Sequence, residues 1–354
     1  MNMADKTYLD NQTWHYFWHP VCTVAELEAS DTGRGCLLRA QLLGTELVIA
    51  RLESGVVAMN NRCPHRSAKL HLGWNRGDRV QCAYHGWCYD AQGTCVEIPA
   101  APGGPIPKRA RATCYDCEVR YGLVWVRLDG AADTQIPDHL VFDDPQFKCV
   151  LGPSYDWKTH SARRLENFTD LAHFPFVHPE TLGKAGHVTY LIPDMRFEAE
   201  GKLRYHYAPP KGARNAMDST GNLSPLASTD YTIQLPFGVT LDITLENGTR
   251  SVIWMWATPL DDVNCRSFWF ACRNTDHEGP DQPHIDLQMQ ILEEDIDVVE
   301  SQDPEQIPHP MEEIAVGPDK VSLAYRKCLY EMCHAKAEGA DSLNAYLNRN
   351  EDNI

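Results

Sequence analysis

Short apolar runs, broken by Gly, Pro and Asp, dominate the first hundred or so positions. Leu47-Val48-Ile49-Ala50-Arg51-Leu52 and Val56-Val57-Ala58-Met59 are rich in β-branched side chains and are separated by Glu53-Ser54-Gly55. Cys117 to Leu128 is a further extended stretch with partial alternation. Runs of this length between turn residues predict a small antiparallel β domain. A short helix is expected over Thr23–Ala29, where Thr23 can cap the first turn and Glu26 stands three residues on.

The pattern changes after Asp129. Pro, Asp and Gly crowd positions 129–153, which places a domain boundary near their start: residues 1–128 and 129–354. Trp157 to Phe174 reads as a helix ended by Pro175. Extended segments are expected at Thr189–Ile192, Leu203–Tyr207, Tyr231–Leu235, Val239–Leu245, Ser251–Thr258 and Ser267–Cys272. Ile285, Met289, Leu292 and Ile296, spaced by three or four, predict a helix from about His284 to Ser301, and another is expected from Val321 to about Lys336. Strands followed by helices indicate an α+β fold rather than alternating βαβ units.

The length of 354 residues and 43% hydrophobic content suit two domains with room for a buried pocket. No run approaches the roughly 20 apolar residues that span a membrane. Met1 to Lys6 has neither a basic nor an apolar leader pattern, so a cytoplasmic protein is expected. The net charge is −17, yet Arg62 to Arg127 holds ten Lys or Arg against five acids, +5, leaving −22 elsewhere. The acidic bulk argues against a nucleic-acid partner, and the basic segment could dock an acidic protein. Thirteen scattered cysteines, an odd number, argue against a disulfide framework and turn attention to metal.

Cys63-Pro64-His65 and Cys82-Ala83-Tyr84-His85 each offer one thiolate and one imidazole from a tight loop, with Gly73, Gly77 and Gly86 suited to sharp turns. Zinc would take all four on one ion. A [2Fe–2S] cluster of Rieske type would divide them, two Cys on one iron and two His on the other. One Cys and one His per loop favours the cluster. Cys114-Tyr115-Asp116-Cys117 has no second pair at matching spacing and is expected to be structural.

A second constellation reads Asp170-Leu171-Ala172-His173-Phe174-Pro175-Phe176-Val177-His178. Two His five apart do not share a face of a regular helix, but Pro175 lies between them and should break the regularity. With a carboxylate they would form the facial donor set of a mononuclear iron(II). Glu293 to Glu300 supplies too many acids for spacing to choose one. Asp295 follows Gln288, Ile291 and Leu292 by seven, four and three and so aligns with an inward stripe.

Together these residues resemble the Rieske non-haem iron oxygenases. Cys63-Pro64-His65-Arg66 with Cys82-Ala83-Tyr84-His85-Gly86-Trp87 matches the family's cluster motif, and Glu166-Asn167-Phe168-Thr169-Asp170 through His178 its iron motif. Glu294-Asp295 with Val298-Val299-Glu300 matches the carboxylate segment, which implies Asp295 as third iron ligand. The resemblance implies an N-terminal antiparallel β Rieske domain, residues 1–128, and a C-terminal helix-grip (START-like) catalytic domain, residues 129–354. Phe17 to Cys22 and Tyr325-Arg326-Lys327 look most like the group holding methylxanthine N-demethylases and dicamba and vanillate O-demethylases. That group implies a head-to-tail homotrimer, in which Asp170 bridges a cluster histidine, His85, to an iron-bound one across the interface. It further implies electrons originating in NAD(P)H and arriving through a partner reductase or ferredoxin. A substrate pocket is expected from Asn167, Phe174, Val177, Leu182, Gln288, Ile291 and Leu292 around the ligands. Demethylation of a small aromatic is the favoured activity, with ring hydroxylation the alternative inside the family. A ferredoxin-like carrier would need the cluster but not His173, His178 and Asp295.

Overall fold

The computed structural model describes residues 9–182, 194–209, 215–217, 223–308 and 312–352. The chain divides into two compact units, Trp14–Ile136 and a larger one from Pro137 onward that includes the described residues before Trp14. The division falls between Ile136 and Pro137 rather than after Leu128. Residues 129–136 stay with the smaller unit because Arg127 donates to the carbonyls of Ala132 and Thr134, and Trp18 Nε1 also donates to Thr134.

The smaller unit holds an antiparallel six-stranded sheet in the order His19–Thr23, Leu123–Arg127, Cys114–Arg120, Gly55–Asn60, Thr45–Leu52, Leu37–Leu42, and a four-stranded one in the order Trp74–Asn75, Val80–Gln81, Cys88–Tyr89, Cys95–Glu97. Helix α1, Val24–Ala29, carries the expected capping box between Thr23 and Glu26. Strand Thr45–Leu52 shows why its run is continuously apolar. Alternate side chains point to opposite faces: Leu47 and Ile49 join a core with Val124 and Val126, while Val48 and Ala50 join a second core under Cys63 and Cys82. The Cys117–Leu128 stretch is not one strand but a hairpin. Tyr121 and Gly122 take φ of 56° and 73° at its turn, which suits a two-residue connection between twisted strands. Cys114 and Cys117 lie three apart on one strand, so their side chains leave opposite faces and join different cores.

The larger unit is built on a long antiparallel sheet. Its order is Lys148–Leu151, Cys265–Arg273, Arg250–Pro259, Gly238–Leu245, Leu223–Gln234, Lys202–Tyr207, Met195–Glu198, Glu351–Asp352. The later expected strands overlap these, whereas Thr189–Ile192 lies outside the described residues. Helix α2 is Ser161–Thr169, α3 is Phe174–Val177, α4 is Gln282–Glu300 and α5 is Lys320–Glu338. The helix expected over Trp157–Phe174 is therefore shorter. Trp157 ends a strand, and His160 caps α2 by accepting the Ala162 N–H at its Nδ1. Pro175 starts α3 rather than stopping α2, because a first-turn proline lacks only an N–H that has no partner there. One disulfide, Cys149–Cys272, links residues paired across adjacent strands; the scattered cysteines did not predict it, because strand register is invisible in their spacing.

Buried charges tie the helices together. Arg326 of α5 grips Glu166 of α2 through Nε and Nη2, at 2.6 and 2.7 Å, and also reaches Glu313 at 2.7 Å. Arg163 joins Glu313 at 2.8 Å. The neighbouring Tyr325 is fully buried and donates to the Pro236 carbonyl. Among the described residues, no helix is long and apolar enough to cross a membrane.

Candidate metal centre

Helix α2 ends at Thr169, and Asp170 leaves it in an extended conformation, φ −78° and ψ 135°. The Asp170 carboxylate then accepts the N–H groups of Ala172 and His173, at 2.9 and 3.2 Å, and starts a new turn. His173 and His178 stand at the two ends of the single turn of α3. A five-residue spacing that would part them on a straight helix thus brings their rings to 5.2 Å between centroids.

Asp295 comes from α4, whose buried side chains are His284, Gln288, Leu292, Asp295 and Val299, an inward stripe with a stride of three or four. Its Oδ1 lies 3.1 Å from His178 Nε2 and 3.5 Å from His173 Nε2. One ligand atom from each of the three residues falls within 4.8 Å of the others. The far nitrogens are occupied. His173 Nδ1 lies 2.9 Å from Asp170 Oδ2. His178 Nδ1 lies 2.6 Å from Glu294 Oε2, which also accepts from Thr181 Oγ1 at 2.7 Å. Carboxylates at both Nδ1 atoms keep a proton there, so release of an Nε2 proton is enough to present each Nε2 lone pair beside Asp295. Two imidazoles and one carboxylate that converge in this way, each oriented from behind, are a donor set that fits iron(II).

Local charge favours the ionised carboxylate. Burial raises the Asp295 pKa, but the hydrogen bond from His178 and the charges of Arg164, His178 and His173 outweigh it and hold it below its ordinary value. Burial works against a charged His178, yet Asp295 and Glu294 hold its pKa above the ordinary value. Asp170 is held down in spite of burial, chiefly by His173 and the Ala172 N–H.

An apolar chamber opens on this group. Two rungs of the sheet make its wall. One runs through Tyr207, Thr229, Ile243 and Ser251, the next through Tyr231, Leu241 and Ile253, each paired in register with its neighbour. Asn167, Phe174, Leu182, Gln288, Ile291 and Leu292 line it as expected. Val177 does not. On a one-turn helix, Phe174 and His178 share a face while Val177 is turned about 100° away, into a separate cavity beside Asp170. Asn167 lines the chamber but turns its amide to protein partners. Its Oδ1 accepts from Arg164 at 2.7 Å and its Nδ2 donates to Asp295 Oδ1 at 3.1 Å, so its amide is engaged at both ends.

In the smaller unit, Cys63 and Cys82 are buried at 2% exposure while His65 is half-buried and His85 exposed. The rings of His65 and His85 lie 4.7 Å apart, and Trp87 stacks on His65 at 4.3 Å. Gly86 takes φ 72° beside Pro99, and Ser67 takes φ 58°, the tight turns the two loops need. The Cys63 thiol is pulled down to about 5 by hydrogen bonding with Cys82, against the effect of burial. Tyr89 OH lies 3.1 Å from Cys63 Sγ. Two sheltered sulfurs and two outward imidazoles are a donor set that fits a [2Fe–2S] cluster, which would take its thiolates on one iron and its imidazoles on the other.

Sequence alone did not single out Glu294 as the orienting group for His178. Its signal was adjacency: on α4 it stands one residue from Asp295, so both reach the same arc. Arg164 gave no such signal, since a charged residue in mid-helix reads as surface.

Residues 17–115 match the Rieske [2Fe-2S] domain family, and residues 157–335 match the vanillate O-demethylase oxygenase C-terminal domain family. The chain is 40% identical over 349 residues to methylxanthine N3-demethylase NdmB of Pseudomonas putida, covering 96% of this chain and 94% of that protein. It is 39% identical over 335 residues to methylxanthine N1-demethylase NdmA of the same organism, covering 94% and 93%. The solved structure of Pseudomonas putida NdmA with caffeine superposes with a TM-score of 0.91 at 37% identity, covering 97% of this chain and 98% of that one.

Proposed function

Because the chain belongs to the Rieske non-haem iron oxygenases, with a [2Fe–2S] cluster and a mononuclear iron as cofactors, we propose that it demethylates a small heteroaromatic compound of the methylxanthine type. In balance, a methyl C–H, O₂, two electrons and two protons give the hydroxymethyl compound and water. Loss of formaldehyde then leaves N–H or O–H in place of the methyl. The relatives' named substrates support an N-methyl target, and the mostly apolar chamber with a few polar side chains suits a flat heteroaromatic.

The single observation that carries this proposal is the convergence of His173, His178 and Asp295 at the floor of that chamber. These three would hold the iron, and Cys63, His65, Cys82 and His85 the cluster. When bound, the iron supplies O₂ activation and the cluster single-electron transfer. The chain's own work is orientation. Asp170 and Glu294 fix the two rings, the sheet wall excludes water, and Gln288, buried in the chamber, offers an amide to a ring heteroatom.

The active assembly in this proposal is a head-to-tail homotrimer in the cytoplasm. Asp170, bonded to His173, accepts a second bond from His85 of the partner subunit. The cavity beside Asp170 carries exposed Ile314 and Val298, apolar surface that a docked copy would cover. A reductase, electrostatically drawn to the basic segment between Arg62 and Arg127, delivers the electrons.

The test is to reconstitute purified protein with an NAD(P)H-dependent reductase and a panel of methylxanthines and aromatic methyl ethers. Formaldehyde and the demethylated product should appear in equal amounts. A diol or phenol that keeps its methyl groups would replace this proposal with ring hydroxylation.

A further inference from the structure

Outside the ligand set, Arg164 is a cation with no solvent exposure in the middle of α2. Its guanidinium lies 4.2 Å from the Trp157 ring centroid and 5.0 Å from that of Phe168. It donates to Tyr155 OH at 2.8 Å and to Asn167 Oδ1 at 2.7 Å, and among the described residues it has no direct carboxylate partner. Its charge reaches a carboxylate through an amide, because Asn167 Nδ2 donates to Asp295 Oδ1. That oxygen is the one that faces both His173 and His178.

The direction of this relay has no freedom. A guanidinium only donates and a carboxylate only accepts, so the Asn167 amide must present its oxygen to Arg164 and its nitrogen to Asp295. Without Arg164 the amide could flip. Its oxygen would then stand against Asp295, and the carboxylate would swing away from the imidazoles.

We infer that Arg164 is a positioning residue for the metal centre, acting through Asn167 to hold Asp295 Oδ1 on the point where the two Nε2 atoms converge. This rests on Asp295 being a metal ligand. Aromatic rings on the guanidinium hold it in place, and its charge makes its hydrogen bond to Asn167 stronger than a neutral one. One chamber-lining side chain is thereby committed to the metal side rather than to substrate.

Protein stripped of its mononuclear metal but retaining its cluster can be titrated with Co(II) in competition with a fluorescent chelator. Asn167→Leu should weaken Co(II) roughly tenfold, in the range for groups behind metal ligands. Arg164→Lys keeps the charge but loses the rigid planar fork that spans Tyr155 and Asn167, so a similar loss is expected. The double variant should lose no more than either single one, since both free the same amide. Losses that multiply, or an Arg164→Lys protein with unchanged affinity, would overturn the inference. Should Arg164→Lys not fold, Tyr155→Phe removes the other anchor of the guanidinium. It should weaken Co(II) about two- to threefold, a small part of one neutral hydrogen bond; no change would count against the relay. Asp295→Ala separates the two levels. If it loses Co(II) while the Arg164 and Asn167 variants do not, only the relay fails. If it binds as the native protein does, the metal centre itself is misassigned and the relay goes with it.

Discussion

His178 is held from both sides by consecutive residues of one helix: Glu294 Oε2 lies 2.6 Å from its Nδ1 and Asp295 Oδ1 lies 3.1 Å from its Nε2. A helix turns about 100° per residue, so neighbours rarely serve one ring. Here the ring lies between their two directions. Glu294→Ala should free the His178 ring and reduce retained iron, with affinity down about 10- to 100-fold. Glu294→Gln, which can still accept at Oε1, should recover most of it. Metal analysis after dialysis against a chelator measures both.

Asp170→Asn should separate electron delivery from chemistry. The amide can still accept from one ring but cannot link two N–H donors as a carboxylate does. Cluster reduction by dithionite should be unchanged and iron retained, while formaldehyde formation falls on the order of a hundredfold. Stopped-flow absorbance of the cluster beside product assay gives the comparison. An equal loss of iron would make Asp170 a structural support for His173 only.

Gln288→Ala should raise KM about fivefold, the worth of one neutral hydrogen bond, and should spread oxidation over more than one methyl position. Unchanged affinity and unchanged product distribution would remove Gln288 from the chamber's recognition groups.

Acid should destabilise the larger unit through His160. Burial above all, with the positive charge of Arg163 adding to it and Asp262 opposing, lowers its pKa from 6.5 to about 4. The unfolded chain takes up that proton near pH 6.5 and the folded chain does not. Stability is therefore full above pH 6.5 and is lost as pH falls towards 4, by about 2 kcal/mol at pH 5. His160→Asn keeps a capping acceptor and should melt near the native temperature at pH 7 but with a shallower decline on acidification. The buried His19 of the smaller unit, also lowered to about 4, mainly by burial, should act in the same direction there.

Arg326→Met should cost about 3 kcal/mol, because it leaves the buried Glu166 without its two-bond partner and with only Arg163, 3.8 Å away, as a cation. Thermal unfolding of the larger unit is the measurement. Glu166 shares α2 with Asn167, so iron retention should fall alongside stability.

Much of this was legible in the amino-acid order because the chemistry sits on distinctive residues. Two Cys–His loops, two histidines beside an aspartate and a carboxylate on an inward helical stripe are rare patterns. The strands at Ser251–Thr258 and Ser267–Cys272 could also be read, as apolar runs of strand length. What could not be read depends on relations between distant positions. The rung of Tyr207, Thr229, Ile243 and Ser251 exists only through strand register. The break at Asp170 depends on a carboxylate capturing two backbone N–H groups, so a helix expected over Trp157–Phe174 became two. Val177 was assigned by proximity to His178, and a single turn sent it elsewhere.

Strand Thr45–Leu52 has a consequence for how the protein tolerates change. Because both of its faces are apolar, hydrophobicity alone does not penalise sliding it by one position. A slip would put Leu47 and Ile49 in the places of Val48 and Ala50 beneath the cysteines with little loss of oily contact. The alignment is set instead by the tight connection at Leu43 and Gly44, both at positive φ, which locks Leu42 opposite Thr45. Lengthening that two-residue link by a single amino acid would therefore shift the floor on which Cys63 and Cys82 rest, although it lies far from either along the sequence.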